Sequence, residues 1–488
     1  MKRFYVSLTL CILCLVTKAQ DSLFKYQVEA QGIYNSNGQV PFWFRSNQFG
    51  SVPLSGASTS FIARAVKDFA SDKSKFFDWA AGFEGRANLG KEAQATLIEG
   101  YAKIRLGMFQ LKGGRSKEVT GIVGDSSLSS GSFSVSGNAL GIPQVSLSVP
   151  EYYTIPVFDG LFAVKGNFAH GWLGTLPLGV DYRIQKSKTY FHQKSLYARI
   201  GKIHSKLKFY GGFNNQVFWG NYNNIFPESY DDLTTWSEFV KVVFGQVHEG
   251  SKVGNHIGSV DVALEFQLKN IKILMYRQNL YDIGALSKLA NLRDGLSGLT
   301  ITNNSQVQNG RVHWHKLLFE VFYTKNQAGE SWSKPTKSGA ENYYNNYQYE
   351  NGWSYQHQSI GNPFITDRRY AVDNLASHPS NYFINNRLIL IHMGLEGSLN
   401  NILIRSKLSF SRNYGTFRTS GGKYRLFGNV LEADPTLYFT PVNQFSYYLE
   451  GRKSFKNNIQ VGLMLAGDQG KLLYNSTGIK ASIAKSFN

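Results

Sequence analysis

The chain has 488 residues, 14% of them aromatic, with 48 glycines and a formal charge of +19. That length suits two or three soluble domains or one large barrel. No long uninterrupted apolar run follows the N-terminal segment, which excludes helical membrane spans. The basic residues are scattered rather than gathered into a stripe, which argues against nucleic acid as a partner.

An export signal opens the chain. Lys2 and Arg3 form a positive start, Phe4 to Val16 is apolar, and Thr17-Lys18-Ala19 places small residues before Gln20. Residues 1–19 therefore read as a Sec signal peptide cleaved near Ala19. The apolar run is shorter than the ~20 residues a spanning helix needs. Both cysteines, Cys11 and Cys14, lie inside it, behind Leu10 and Leu13 rather than behind the small residue that lipidation requires. The mature chain should thus be cysteine-free, about 469 residues long, with a charge of +16 once Lys2, Arg3 and Lys18 are gone. A disulfide framework is excluded. The excess charge suits contact with lipid A phosphates of the outer leaflet, or an acidic partner such as a uronic-acid or phosphate-bearing polysaccharide.

Residues 20–55 read as a periplasmic prefix or partial plug, and 56–488 as the barrel. Along the chain, apolar and polar residues alternate in segment after segment. Val260, Val262, Leu264, Phe266 and Leu268 fall on one face, with Asp261, Ala263, Glu265 and Gln267 on the other. A strand sends successive side chains to opposite faces. The pattern recurs at Leu207/Phe209/Phe213, Leu317/Phe319/Val321, Ile402/Ile404/Leu408/Phe410, Ile459/Val461/Leu463 and Ile479/Ala481/Ile483. So many such runs in an exported chain predict an all-β, transmembrane, antiparallel outer-membrane barrel of about 18 strands, with lipid outside and water inside. Gly107 to Pro156 can be divided in several ways. Asp261, Glu265, Glu320, Arg405, Lys407, Glu450 and Arg452 should face the lumen.

Thr234-Thr235-Trp236-Ser237-Glu238 reads as a capping box opening a short helix on or in the mouth of the pore. Lys269-Asn270, Asn400-Asn401 and Lys456-Asn457-Asn458 read as tight turns, because asparagine tolerates the left-handed conformation. Long connections alternate with them, at roughly 220–258, 282–295, 327–385 and 415–442. Short periplasmic turns and long extracellular loops are the habit of such barrels. Phe487, near the end of the terminal strand, resembles the aromatic signal read by barrel-assembly machinery.

No pattern for catalysis emerges. The ten histidines are dispersed, and there is no nucleophile elbow, phosphate-binding glycine loop or His-Glu-x-x-His. The spacing of His313 and His315 could suit a metal, but no third ligand supports it. The chain is thus expected to be neither an enzyme nor a holder of a metal or other cofactor. The richest binding pattern is ENYYNNYQYENGWSY, where Tyr343, Tyr344, Tyr347, Tyr349, Trp353 and Tyr355 alternate with asparagines. Aromatic faces stack on the C–H faces of sugars, and amides bond hydroxyls; an aromatic belt with loop packing would explain the same residues. Arg368, Arg369, Lys423 and Arg425 could fork onto sugar carboxylates or onto lipid phosphates.

Several stretches taken together resemble the Wzi capsule-assembly family, in its Bacteroidota form. They are Pro41-Phe42-Trp43-Phe44-Arg45-Ser46-Asn47-Gln48-Phe49-Gly50, Ser134-Val135-Ser136-Gly137-Asn138-Ala139, Gly254-Asn255-His256-Ile257-Gly258, Asp294-Gly295-Leu296-Ser297-Gly298-Leu299, Gly352-Trp353-Ser354-Tyr355 and Asn385-Asn386-Arg387. The resemblance implies an eighteen-stranded barrel closed by loops, acting as a surface lectin that organises capsular or other extracellular polysaccharide. Outer-membrane lipopolysaccharide and the assembly machinery are its expected other partners. A diffusion porin or solute channel is the alternative reading.

Overall fold

The computed structural model describes residues 24–487 other than 71–75, 92, 181, 283–287, 306–310, 331–336, 420 and 427–428. The export segment and its cleavage region lie outside the described residues. Eighteen antiparallel strands form one closed sheet. The first nine are β1 Phe24–Asn35, β2 Ser58–Lys67, β3 Phe77–Leu89, β4 Gln94–Leu106, β5 Phe109–Arg115, β6 Gln144–Thr154, β7 Phe162–Pro177, β8 Lys186–Ile200 and β9 Leu207–Trp219. The rest are β10 Asn255–Gln267, β11 Ile271–Asp282, β12 Gly295–Asn303, β13 Val312–Tyr323, β14 Leu388–Leu399, β15 Ile402–Asn413, β16 Val442–Phe455, β17 Ile459–Gly470 and β18 Ser476–Phe487. Closure leaves no strand edge, so every backbone group of the wall can pair within the sheet, as a membrane requires.

The alternation maps onto the two faces of the wall. On β10, Val260 and Val262 are exposed on the outside while Asp261 and Ala263 are buried inside. Phe209, Phe319, Ile391, Leu408, Leu463 and Ile483 continue the outer apolar band. Among the described residues no helix is long and apolar enough to cross a membrane; the strands do the crossing.

The prefix assignment needs correcting. Phe24–Asn35 is a wall strand, paired with β2 on one side and with β18 on the other, where Tyr26 lies opposite Phe487. Its outward residues include Ala30 and Gly32, which carry too little apolar surface to make the alternation conspicuous. Residues 36–57 do not hang below the barrel but turn into the mouth. There the helical turn Phe42–Arg45 (α1) buries its three aromatics. Trp43 Nε1 donates to Ser409 Oγ at 3.2 Å, and the Phe42 amide donates to Asp468 at 2.7 Å.

The connections sort by end. Phe24, Phe487 and the two- and three-residue turns share one end, which is the periplasmic one in barrels of this kind. Asn400 and Asn401 both have positive φ, as do Asn457 and Asn458, the conformation their turns were expected to demand. The long connections crowd the opposite end. Residues 116–143 between β5 and β6 enter the lumen. The segment 220–254 carries α2 Tyr222–Ile225 and α3 Thr235–Phe244. Helix α3 lies against the outside of the wall, not in the mouth: Phe239 packs 5.6 Å from both His170 and Trp219, on the outer faces of β7 and β9. Its capping box joins Thr234 to Ser237, while Glu238 turns under the segment and accepts the Tyr222 amide at 2.8 Å.

Candidate functional site: the loop-filled mouth

The inward loop 116–143 occupies the lumen through hydrogen bonds to five strands. Ser129 Oγ and the Ser130 amide donate to the two oxygens of Glu320 on β13, each at 2.7 Å. The Ile122 amide reaches Asp261 on β10 at 2.8 Å, and the Phe133 amide reaches Gln278 on β11 at 3.3 Å. Ser134 Oγ bonds Asn214 on β9 at 2.8 Å, and the Leu128 carbonyl meets His392 on β14 at 2.6 Å. A serine-rich sequence suits this path, since small hydroxyl side chains pack tightly and can bond polar walls. At Gly121, with φ +83°, a Cβ would fall 2.4 Å from Gln278 Nε2. The positive φ favours glycine there, and any side chain would have to displace Gln278.

The aromatic loop packs onto this plug from the outer side. Trp353 stacks on Phe218 with ring centres 4.2 Å apart and donates from Nε1 to the Ser134 carbonyl at 2.8 Å. Tyr343 sets its edge against Phe133 and donates to Asp294 at 2.6 Å. Tyr344 donates to the Phe133 carbonyl and accepts from the Asn362 amide. Tyr349 sits edge-on to Phe218, and the Tyr355 hydroxyl accepts from Arg115 at 3.1 Å.

These five aromatics are buried, so the expected sugar-stacking platform is corrected: their faces are already covered by the plug. The asparagines are used internally as well. Asn346 Oδ1 accepts the Gln348 and Tyr349 amides, and Asn345 exchanges two hydrogen bonds with Phe383. Tyr347 alone of the six stays open, at 64% exposure.

The four expected cations separate. Arg368 is exposed but tied to the carbonyls of His378 and Asn381. Lys423 and Glu432 pair at 3.1 Å, both open to water. Arg425 is exposed nearby, on the Lys423–Leu426 strand. Arg369 is paired with buried Asp367 at 3.0 Å and lies over Tyr370 and Tyr382. Burial pushes the Asp367 carboxyl up, opposed by Arg369 and then Arg45. Burial also works against the Arg369 cation, but Asp367 outweighs it and holds the guanidinium above its ordinary value.

Arg369 borders a cleft of about 300 Å³ at the loop-bearing end, lined also by Leu54, Lys91, Gln94, Tyr355, Gln356, His357 and Gln358. One wall is braced by Tyr370, whose hydroxyl donates to Gln358 at 2.6 Å and whose face carries the Arg45 guanidinium at 3.7 Å. Tyr382 donates to the His357 carbonyl at 2.8 Å. The cleft therefore offers cations and amides together. Of the expected residues only Tyr355 and Arg369 line it. Lys91 comes from the β3–β4 connection and His357 and Gln358 from the long loop after β13, with no periodic pattern to mark them.

A family model described as capsule assembly protein Wzi matches residues 63–372, more than half of the chain. The chain belongs to this family. The matched stretch runs from within β2 through the inward loop and the aromatic loop. The family and the lipid-facing apolar band together make this an outer-membrane protein of capsule assembly. Among solved structures, OpdL of Pseudomonas aeruginosa is similar at 8% identity, covering 96% of this chain and 99% of that one, with a TM-score of 0.45. OccAB4 of Acinetobacter baumannii is similar at 8% identity, with coverage of 96% and 99% and a TM-score of 0.46. OmpT of Vibrio cholerae, an outer membrane protein with loop L8 deleted, is similar at 9% identity, with coverage of 95% and 98% and a TM-score of 0.35. No curated protein matches in sequence.

Proposed function

We propose that this family member binds polysaccharide at its extracellular mouth and holds or helps assemble capsule or exopolysaccharide at the cell surface, without catalysing a reaction. The observation that carries this reading is the division of labour at the mouth. The lumen is filled by the chain's own serine-rich loop, while the outer side displays the cleft of Lys91, His357, Gln358 and Arg369. A filled lumen suits a binding surface better than a conduit. The cations suit an acidic glycan, and Arg369 is pre-oriented by Asp367, so less rotamer freedom is lost on binding. The protein would reach the outer membrane by Sec export with cleavage near Ala19. Lipopolysaccharide would meet the outer apolar band, and Phe487 would address the assembly machinery.

The test compares polymer shed into the medium with polymer kept on cells. Deletion of the protein should raise the shed fraction, and Lys91→Gln with Arg369→Gln should raise it in part, with heat-modifiable gel mobility reporting a folded barrel. Unchanged retention in the deletion strain would end the lectin reading. The second reading is a diffusion porin or solute channel, favoured by the half-buried charged side chains that line the periplasmic half of the lumen. Steady single-channel conductance in planar bilayers would put it first.

A further inference from the structure

Beneath the plug, toward the short-turn end, several cations of the lumen wall are neutralised by close carboxylates. Arg405 lies 2.6 Å from Glu396, Arg105 lies 3.1 Å from Asp78, and Arg452 pairs with Glu450. On β7 and β8 two cations lack such a partner. Lys165 on β7 and Arg199 on β8 both face inward there, and among the described residues neither stands within ion-pair distance of a carboxylate.

Lys165 is instead held between aromatic rings. Its Nζ is 5.0 Å from the centre of Tyr152 and 5.1 Å from that of Tyr197. Arg199 is only 6% exposed, yet it makes a single hydrogen bond, from Nη2 to Thr154 at 3.3 Å. Its Nε is buried without any partner. Tyr210, paired in register with Arg199, packs edge-on to Tyr152 at 5.3 Å. The local carboxylates are engaged elsewhere: Glu265 takes Lys208 at 2.8 Å and Tyr210 at 3.2 Å, and Asp261 takes Tyr197 at 3.0 Å and the plug.

A buried guanidinium donor without an acceptor is costly. Two cations on one concave wall also create a positive field that water screens poorly. Both costs fall if an anion occupies the site, and the three tyrosines supply ring faces and hydroxyls beside it. Lys165, Tyr152 and Tyr210 are half-buried, so they remain reachable from the vestibule.

We propose that Lys165, Arg199, Tyr152 and Tyr210 form a periplasm-facing subsite for an acidic saccharide unit, distinct from the cleft at the mouth. Lys165 Nζ and the Arg199 Nε receive the carboxylate, and the sugar ring lies against the Tyr152–Tyr210 pair. The plug separates the two sites, so a glycan reaches this one from the periplasmic side. The inference deepens the polysaccharide reading and rests on it for the class of ligand.

The experiment uses the purified full-length barrel in detergent and calorimetric titration with trigalacturonic acid, maltotriose and inorganic phosphate. The wild type should bind the acidic trisaccharide more tightly than the other two. Loss of one charge-assisted contact in Lys165→Gln or Arg199→Gln should weaken that binding by roughly tenfold or more. Lys165→Arg, which keeps the charge, should restore most of it. Heat-modifiable mobility identifies folded variants.

Absence of binding by the wild type, or full affinity in a folded Lys165→Gln barrel, overturns the subsite. Equal affinity for phosphate overturns the saccharide assignment. Loss in Arg369→Gln without loss in Lys165→Gln places all binding at the mouth, which overturns the subsite while leaving the proposed function standing.

Discussion

The hydroxyl of Tyr343 donates to the carboxylate of Asp294 at 2.6 Å, joining the aromatic loop to the rim of β12 in a fully buried contact. The amides of Asn326 and Gln327 complete the cradle at 2.9 and 2.8 Å. One carboxylate thus fastens two stretches of the long loop 324–387 to the wall. Its titration should control how firmly the mouth is closed.

Burial pushes Asp294 up to about 6, with Tyr343 and the two amides acting against it. A carboxyl raised above its unfolded value of 3.8 binds its proton more tightly when the loops are packed. Its contribution is therefore fully present below about pH 4 and is lost as pH rises through about 6, a change on the order of 3 kcal/mol at most. Hydrogen exchange of residues 326–330 and 337–345 should accelerate between pH 4 and pH 7 beyond the intrinsic pH effect. Asp294→Asn should remove that excess while keeping the acceptor oxygen. A pH-independent opening free energy in the wild type would show that this carboxylate does not govern the closure.

The plug should fail locally when its anchor is cut. Trp353→Ala removes the stack on Phe218 and the bond to Ser134, a change of about 3–5 kcal/mol for a buried tryptophan. The wall strands do not depend on that side chain, so the barrel should still form. Planar bilayers should then register larger and noisier conductance than the wild type. Silent membranes from a folded variant would show that the inward loop 116–143 holds its position unaided.

The outer band should reject charge. Phe319 is outward and its neighbour Glu320 inward, bonded to Ser129. Phe319→Arg places a cation against lipid at a cost of about 2–4 kcal/mol near mid-bilayer, whereas Gln267→Arg faces the vestibule. The first should lower the yield of heat-modifiable barrel and the second should not. Equal yields would contradict the lipid-facing assignment.

Sidedness can be read on intact cells. An epitope inserted at Gly422 should be labelled, because that loop shares the crowded end with the cleft. One inserted at Asn457 should be silent, lying in the turn between β16 and β17 at the same end as Phe487. Labelling at Asn457 would reverse the orientation.

The sequence by itself determined the wall. Period-two alternation is a local property, written by residues such as Val260 to Gln267, and lipid outside with polar lumen inside enforces the same parity on each strand. The tight turns were equally local, since Asn400-Asn401 and Asn457-Asn458 carry their own conformational preference. Where outward residues are small, as at Ala30 and Gly32 in β1, the alternation fades, and the strand is indistinguishable from a prefix in sequence.

Only the tertiary structure decided what the loops do. Tyr343, Tyr344 and Trp353 have the same composition whether they face a sugar or a plug. What buries them is Phe133, Ser134 and Phe218, which lie more than 100 residues away in the chain. The same holds for α3: its capping box is local, but packing of Phe239 on His170 and Trp219 put it outside the wall. Arg199 likewise reads from sequence as one more luminal cation, and only the register of four strands leaves its Nε without an acceptor beside Lys165. Such pairings depend on which side chains meet across the closed sheet, and that is set by closure rather than by any one segment.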